Sequence, residues 1–295
     1  MKIASFNDYR IGLVEGDQLR DITSVVPAAL DEMPGQRLNW LIRHWDGIKT
    51  QLETVRERAP TLALDSVSLL AATPYPGHVF AAPANYQKHI GELGSKAVTK
   101  KGRSAREQGF FLKAPASVVG EGGVIVLPKG SARRFDHESE LAVIIGKGGR
   151  DIPREKAMEH VFGYACLIDA TMRIEKDVAE EERSMRKSFE GFTPVGPYIV
   201  TADEVSDPSN LSNRLWVNDE LRQQANTREM IVGIEELIEL ISSVLPLSPG
   251  DVIATGTPEG VGPFEPGDTV TIEIEQVGRM RVVVQEREHV SPRAY

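Results

Sequence analysis

Two glutamates, Glu138 and Glu140, stand directly before the apolar run at residues 141–145. Side chains two apart in a strand share a face, and such a run suits a strand buried on both sides. At about 5 Å the two carboxylates repel by roughly 3 kcal/mol for an effective dielectric near 20, so they need a cation, a proton or an arginine nearby. A solvated strand end for the two glutamates is the alternative.

A third carboxylate, Asp169, ends the apolar run at residues 164–168. Asp169 could therefore lie at the mouth of a strand next to the one that follows Glu140. Three carboxylates with room for water suit Mg²⁺, or Mn²⁺ or Ca²⁺, and not a metal that prefers thiolates. The alternative for Asp169 alone is a turn-capping role.

His89 and Glu92 are three residues apart, so on one helical turn the carboxylate could orient the imidazole as a general base. A surface ion pair is the alternative. The polar, lysine-rich and arginine-rich residues 94–109 that follow predict either a lid over a site or a solvated charge run.

Glycines and threonines cluster at residues 251–262, around Gly256 and Thr257. Tight turns of this kind present backbone N–H groups to an anion, and a carboxylate would suit them. The sequence contains no phosphate-binding Walker motif, no dinucleotide fingerprint, no Gly-x-Ser-x-Gly elbow and no His-Glu-x-x-His helix. These absences argue against the corresponding nucleotide-binding, hydrolase and zinc classes.

Composition and charge exclude further classes of protein. The chain has 295 residues, 41% hydrophobic and 26% charged, with a net charge of -9 that disfavours nucleic acid as a partner. No apolar stretch approaches the roughly 18 residues of a membrane span, and no secretion signal is visible. The single Cys166 fits a reducing compartment, so we expect a cytoplasmic protein.

The elements that must position these residues are mainly strands. Strand patterns at residues 2–22 and a helix pattern at 38–55 predict a small N-terminal strand-plus-helix domain over residues 1–72. The remainder, residues 73–295, predicts a mostly β catalytic domain with α/β elements. Its expected helices cover residues 153–161 and 234–245, and a hairpin is expected at residues 269–284.

From residue 79 to about 284 the chain resembles the fumarylacetoacetate hydrolase family. The resemblance rests on ordered motifs: Asn85-Tyr86-x-x-His89-x-x-Glu92, Phe111-x-Lys113, Glu138-x-Glu140, Asp169-x-x-x-Arg173, Lys187-Ser188-Phe189, Pro194-x-Gly196-Pro197, Val217-Asn218 with Gln223, and the segment from Pro249 to Pro258. It implies a mixed β-sheet roll that forms a homodimer.

The same resemblance implies roles for individual residues. Glu138, Glu140 and Asp169 would bind Mg²⁺ or a similar divalent cation. His89 and Glu92 would activate water, and Lys187 would contact the substrate and the developing oxyanion. The matching positions expected to hold the substrate are Tyr86, Lys113, Arg173, Gln223 and Thr257.

The implied reaction is hydrolysis of a C–C bond in a small β-diketo acid, of the acylpyruvate, fumarylpyruvate or fumarylacetoacetate type. A tautomerase, isomerase or decarboxylase of 2-oxo acids is the alternative within the same family. A catalytically silent, metal-binding dimeric module is a more remote alternative, and it would show no dependence of activity on His89.

Overall fold

Strands dominate the described part of the chain, which comprises residues 1–93, 103–174 and 183–290 of a computed structural model. The strands are β1 (Lys2–Phe6), β2 (Arg10–Glu15), β3 (Gln18–Asp21), β4 (Thr61–Ala63), β5 (Val79–Ala81), β6 (Phe111–Lys113), β7 (Val118–Val119), β8 (Val124–Leu127), β9 (Phe135–His137), β10 (Ser139–Ile145), β11 (Val161–Ile168), β12 (Thr171–Met172), β13 (Thr193–Thr201), β14 (Ser212–Val217), β15 (Glu220–Asn226), β16 (Val252–Ala254), β17 (Gly262–Pro263), β18 (Thr269–Ile274) and β19 (Gly278–Glu286).

The α-helices are short and few. They are α1 (Arg37–Arg43), α2 (Trp45–Arg58), α3 (Gln87–Leu93), α4 (Ala105–Gln108), α5 (Arg183–Arg186) and α6 (Ile234–Val244). The predicted helix at residues 38–55 is divided between α1 and α2, and α6 confirms the helix predicted near residue 240. The α-helix predicted at residues 153–161 is wrong, because Arg154–His160 forms a 3₁₀-helix that runs directly into β11.

Within the described residues the strands form three sheets. The largest has eleven strands in the order β4-β3-β2-β1-β13-β11-β10-β16-β5-β6, with β7 paired to β13. A five-stranded sheet has the order β15-β14-β18-β19-β8, and a three-stranded sheet has the order β12-β9-β17. The pairs β5–β16, β7–β13 and β8–β19 are parallel and the others antiparallel, so the expectation of mixed sheets in a mostly β fold is confirmed.

Strand β10 lies in the interior of the large sheet and is buried on both faces, as its apolar run predicts. Val143 packs on the side of the five-stranded sheet, in one core with Leu215 and Ile272. Ile144 packs on the opposite side, in a second core with Leu41 of α1. Strand β10 is therefore fixed by packing on both of its faces.

The N-terminal residues extend the large sheet. Ile3 of β1 pairs with Ile199 of β13, and α1 and α2 cover the neighbouring strands. The predicted domain boundary at residue 72 stays a prediction. No described helix combines the length and apolar character needed to cross a membrane.

Candidate active site

Three acidic residues meet where β10 begins and β11 ends. Ser139 of β10 pairs with Ile168 of β11, so Glu138 and Asp169 lie side by side, and the Asp169 N–H donates to the Glu138 carbonyl at 2.8 Å. Carboxylate oxygens of Glu138, Glu140 and Asp169 lie within 4.8 Å of one another, and all three residues are buried. The structure thus brings together the three expected metal ligands.

Basic side chains surround two of these carboxylates. Lys187 Nζ donates to Glu138 Oε2 at 2.8 Å and also to Asp169 Oδ2. Lys113 Nζ donates to Asp169 Oδ1 at 2.5 Å, and Arg173 Nη2 donates to Glu138 Oε1 at 2.7 Å. Although burial alone would raise the pKa of Glu138, Lys187 and Arg173 outweigh it and lower that pKa well below its ordinary range.

Glu140 has a different environment. It accepts a hydrogen bond from the Gly256 N–H at 2.6 Å, and no ion pair to it occurs within the residues the structure describes. Burial, together with the charges of Asp169 and Glu138, raises the pKa of Glu140 well above its ordinary value. A divalent cation held by three carboxylate oxygens would relieve this repulsion, so the donor set fits such an ion.

The backbone that reaches Glu140 needs a glycine. Gly256 has φ +95°, and a Cβ atom there would come within 2.6 Å of the Asn85 Cβ. Asn85 is itself fixed, because its side chain donates to the carbonyls of Thr255 and Val232 at 2.8 and 2.9 Å. The glycine-rich segment predicted to bind an anion therefore supplies a backbone donor to an acidic residue of the centre.

The two lysines at the centre differ in whether the nearby carboxylates outweigh the effect of burial on their pKa. Burial tends to lower the pKa of Lys187, but Asp169 and Glu138 outweigh it and the pKa is raised, so this ammonium stays charged at neutral pH. For Lys113, which also donates to the Phe192 carbonyl at 3.1 Å, burial dominates over Asp169 and the pKa is lowered. Lys187 is therefore the firmer positive charge of the pair.

Helix α3 carries the expected dyad. His89 is buried, with 5% of its surface exposed, and its Nδ1 lies 3.6 Å from Glu92 Oε2, outside hydrogen-bond distance. Glu92 Oε1 instead accepts the Gly260 N–H at 2.8 Å. Burial lowers the pKa of His89 even though the negative charge of Glu138 acts in the opposite direction. His89 is thus a neutral imidazole near the acidic centre at physiological pH.

The remaining predicted substrate contacts lie around the same centre. Tyr86 is buried, and burial with the charge of Glu140 raises the pKa of its phenol. Thr257 follows Gly256 and accepts a hydrogen bond from Gln223 Nε2 at 2.9 Å. Arg173 divides its guanidinium between Glu138 and Asp136, at 2.7 and 2.6 Å. Whether these residues touch a substrate remains a prediction.

One acidic residue escaped the sequence reasoning. Asp136 is buried and pairs with Arg134 and Arg173, each through a contact of 2.6 Å. The signal was present, since Asp136, Glu138 and Glu140 alternate along one stretch. Of the predicted lid, residues 94–102 lie outside the described residues, and α4 occupies part of the rest.

These features define an enzyme site built on an acidic cluster for a divalent cation, at one end of a buried strand in a mixed β fold. The model of the fumarylacetoacetate hydrolase C-terminal region matches residues 78–285. The chain belongs to the fumarylacetoacetate hydrolase family. The expectation of a metal-dependent hydrolase acting on β-diketo acids is confirmed at the level of this family.

Proteins similar to this chain over nearly its whole length include hydrolases of this kind. A maleylpyruvate hydrolase of Aquipseudomonas alcaligenes is 43% identical over 97% of this chain and 99% of its own. The crystal structure of maleylpyruvate hydrolase from Sphingobium sp. SYK-6 with manganese(II) and pyruvate matches at 41% identity and a TM-score of 0.85, covering 98% of this chain and 100% of that one. A 5-carboxymethyl-2-hydroxymuconate delta-isomerase from Mycobacterium smegmatis is more distant, with 28% identity and a TM-score of 0.73, over 97% of this chain and 100% of that one.

Proposed function

We propose that this chain hydrolyses the C–C bond of an acylpyruvate that bears a second carboxylate, of the maleylpyruvate or fumarylpyruvate type. One observation carries the proposal. Three buried carboxylates, Glu138, Glu140 and Asp169, converge beside the charged Lys187 and the neutral His89. A hydrolase needs a buried neutral base beside its metal ligands. A protein that only binds a metal does not need one.

The charges at the centre suit an anionic substrate. Four acidic and four basic side chains form one network: Asp136, Glu138, Glu140 and Asp169 with Lys113, Arg134, Arg173 and Lys187. A divalent cation therefore adds net positive charge to a balanced cluster, which favours a dianion. The Sphingobium structure with manganese(II) and pyruvate supports a divalent cation and an anionic 2-oxo acid, and Mg²⁺ or Mn²⁺ is the cation we propose.

Glu138, Glu140 and Asp169 would hold the cation, which when bound supplies Lewis-acid stabilisation of negative charge on the 2-oxo side of the substrate. Lys187 places its ammonium beside Glu138 and Asp169, where it offsets the charge that develops on oxygen as the acyl carbonyl is attacked. Tyr86 is buried and senses the charge of Glu140, and we expect it to contact the substrate.

His89 supplies the base. As a neutral imidazole it takes a proton from water, and the hydroxide adds to the distal carbonyl carbon of the substrate. The C–C bond then breaks, its electron pair passes to the carbon next to the 2-oxo group, and His89 returns the proton to that carbon. Glu92, anchored by the Gly260 N–H, stabilises the imidazolium between these two transfers.

We propose that the chain is a cytoplasmic homodimer, as the family resemblance implies. Sedimentation at micromolar concentration will test the dimer. Cys166 is a free, fully buried thiol whose pKa burial raises, which is compatible with a reducing cytoplasm.

The direct test is a substrate panel with product analysis. Maleylpyruvate, fumarylpyruvate, acetylpyruvate, fumarylacetoacetate and oxaloacetate are incubated with the protein and Mg²⁺ or Mn²⁺, and each product is identified: pyruvate and a carboxylic acid from an acylpyruvate, acetoacetate and fumarate from fumarylacetoacetate, and pyruvate with CO₂ from decarboxylation of oxaloacetate. We expect cleavage of the two dicarboxylic acylpyruvates in preference to acetylpyruvate. Interconversion of oxaloacetate tautomers with no cleavage of any panel member would favour the second candidate, an isomerase, to which the Mycobacterium smegmatis structure points.

His89→Ala separates the two candidates, because attack by water needs the base and enolisation on the metal side depends on it less. We expect cleavage to fall about a hundred- to ten-thousandfold, as for loss of a general base, with metal affinity unchanged. His44→Ala, at an exposed histidine of the N-terminal helices, is the matched control. Cleavage by His89→Ala at the wild-type rate would refute the dyad.

A further inference from the structure

The side chain of Gln223 connects two segments of the site, the start of β10 and the glycine-rich segment after β16. It projects from β15 and only 1% of the residue is exposed. Its Oε1 accepts the Ser139 N–H at 3.0 Å and lies 3.1 Å from His137 Nδ1. Since Ser139 and His137 flank Glu138, one end of the amide touches the acidic strand.

The other end touches the glycine-rich segment. Gln223 Nε2 donates to Thr257 Oγ1 at 2.9 Å and to the Pro258 carbonyl at 3.0 Å, with the Glu259 carbonyl at 3.4 Å. This is the segment whose Gly256 N–H donates to Glu140. The amide oxygen and both amide hydrogens therefore have partners within the protein.

The backbone fixes the orientation of this amide. The Ser139 N–H can only donate, and the Pro258 carbonyl can only accept. A flipped amide would set its NH₂ against the Ser139 N–H and its oxygen against the Pro258 carbonyl, so the oxygen must face Ser139 and the NH₂ must face Pro258. Thr257 Oγ1 consequently accepts from Gln223, and the hydroxyl proton of Thr257 is left to donate elsewhere.

We propose that Gln223 is a positioning residue, which sets the Thr257 hydroxyl as a donor toward the carboxylate end of the substrate. The proposal rests on the proposed function, because it places that carboxylate at the metal centre. Thr257 is only 4% exposed and directly follows Gly256, the N–H of which donates to Glu140, and the proposal directs the Thr257 hydroxyl proton toward that centre. This replaces the expectation, implied by the family resemblance, that Gln223 binds substrate itself.

Gln223→Glu tests the proposal with one atom changed. The variant keeps the oxygen facing Ser139 but puts a second oxygen against Thr257 and the Pro258 carbonyl. That oxygen accepts the Thr257 proton and withdraws it from the substrate. The readout is the affinity of the Mn²⁺-loaded protein for pyruvate by calorimetry, which requires no turnover, beside the affinity for Mn²⁺ alone.

Pyruvate affinity is expected to fall about ten- to a hundredfold, the range for a lost hydrogen bond to a charged group, while Mn²⁺ affinity stays at the wild-type value. KM for the cleaved acylpyruvate should rise by the same factor. Gln224→Glu adds the same charge on the exposed face of β15 and should change neither. If a buried glutamate prevents folding, Gln223→Met, which is neutral and of similar length, replaces it.

A double-mutant cycle with Thr257→Val distinguishes positioning from general support of the fold. With the hydroxyl gone, Gln223→Glu should weaken pyruvate binding no further. Additive losses, an unchanged pyruvate affinity, or a loss of Mn²⁺ affinity of equal size would overturn the proposal, as would a wild-type protein that binds Mn²⁺ but not pyruvate. Pyruvate binding that responds as expected in a protein that cleaves no acylpyruvate would contradict the proposed hydrolysis and leave Gln223 as assigned.

Discussion

The three carboxylates of the centre differ in how their charges are balanced. Glu138 and Asp169 both contact basic side chains, whereas Glu140 has a backbone N–H. The neutral form of Glu140 is favoured by burial and by the two neighbouring acids. Glu140 is therefore the residue at which an added cation changes the local free energy most.

Glu140→Gln should change the stability of the protein in opposite ways without and with bound metal. The amide oxygen can still accept the Gly256 N–H, and the buried charge is removed, so the metal-free variant should melt at or above the wild-type temperature. Loss of a residue that only supports a metal ligand lowers metal affinity about ten- to a hundredfold. Because Glu140 is itself an expected ligand, the Mn²⁺ affinity of Glu140→Gln should fall by at least that factor. Thermal unfolding with and without Mn²⁺ measures both. Glu155→Gln, at an exposed position, is the control, and a wild-type metal response in Glu140→Gln would refute the ligand assignment.

The lowered pKa of His89 predicts a pH dependence with a definite sign. Buried His89 protonates below its ordinary pKa of 6.5, so kcat/KM should hold through neutral pH and fall only in acid below that value. The unfolded chain takes up the proton first, so the free energy of unfolding should also decrease as the pH drops below 6.5. Denaturant titrations of wild type and His89→Gln measure this, and an identical acid slope in both would contradict it.

Some residues of the site could be predicted from the sequence and others could not. The acidic trio was predictable because alternation along a strand and the ends of two apolar runs are local patterns. The bonds of Gln223 and the Gly256 contact to Glu140 were not, because they join segments 84 and 116 positions apart in the chain. Asp136 could have been found, since it continues the alternation of Glu138 and Glu140.

Among the elements, the loop after β16 holds the site together through a close approach. Gly256→Ala should destabilise the fold by about 1–3 kcal/mol, because the residue has φ +95° and the new Cβ would meet Asn85 at 2.6 Å. It should also weaken metal binding by displacing the N–H from Glu140.

Gly267→Ala is a matched control for that change. Gly267 has φ +100°, and a Cβ atom there would meet nothing within 4 Å, so this variant carries the backbone strain without the clash. Denaturant unfolding and Mn²⁺ titration of both variants isolate the effect of the close approach. Equal losses of stability in both, with normal metal affinity, would show that the packing of Gly256 on Asn85 is unimportant.

Element prediction succeeded where periodicity was strong and failed where it was weak. The apolar face of α6 and the β18–β19 hairpin were foreseen. The 3₁₀-helix Arg154–His160 was taken for an α-helix, because a proline start and a short polar run are common to both. Helix α3 supplies the helical turn that the dyad of His89 and Glu92 requires, but its Glu92 contacts Gly260, a partner that no local pattern indicates.

In the whole molecule, the large sheet links the N-terminal strands to the catalytic strands. Strand β1 adds to β13, which pairs with β11, the strand that ends next to Asp169. Residue patterns and turn-forming residues predicted an N-terminal unit with its own strands and helix. They did not predict the pairing of β1 with β13, because that pairing joins segments far apart in the chain and leaves no local pattern. The centre is consequently held by strands packed on both faces, which suits a site that must keep three like charges together.

We propose that the whole chain, loaded with metal, hydrolyses an acylpyruvate. Cleavage of maleylpyruvate in ¹⁸O-labelled water with Mn²⁺ tests it most directly, with mass spectrometry of the released acid. We expect that one labelled oxygen enters the new carboxylate of maleate, that pyruvate forms in equal amount, and that both cease on removal of the metal. Formation of an isomer in place of maleate and pyruvate, or cleavage that persists without metal, would contradict it.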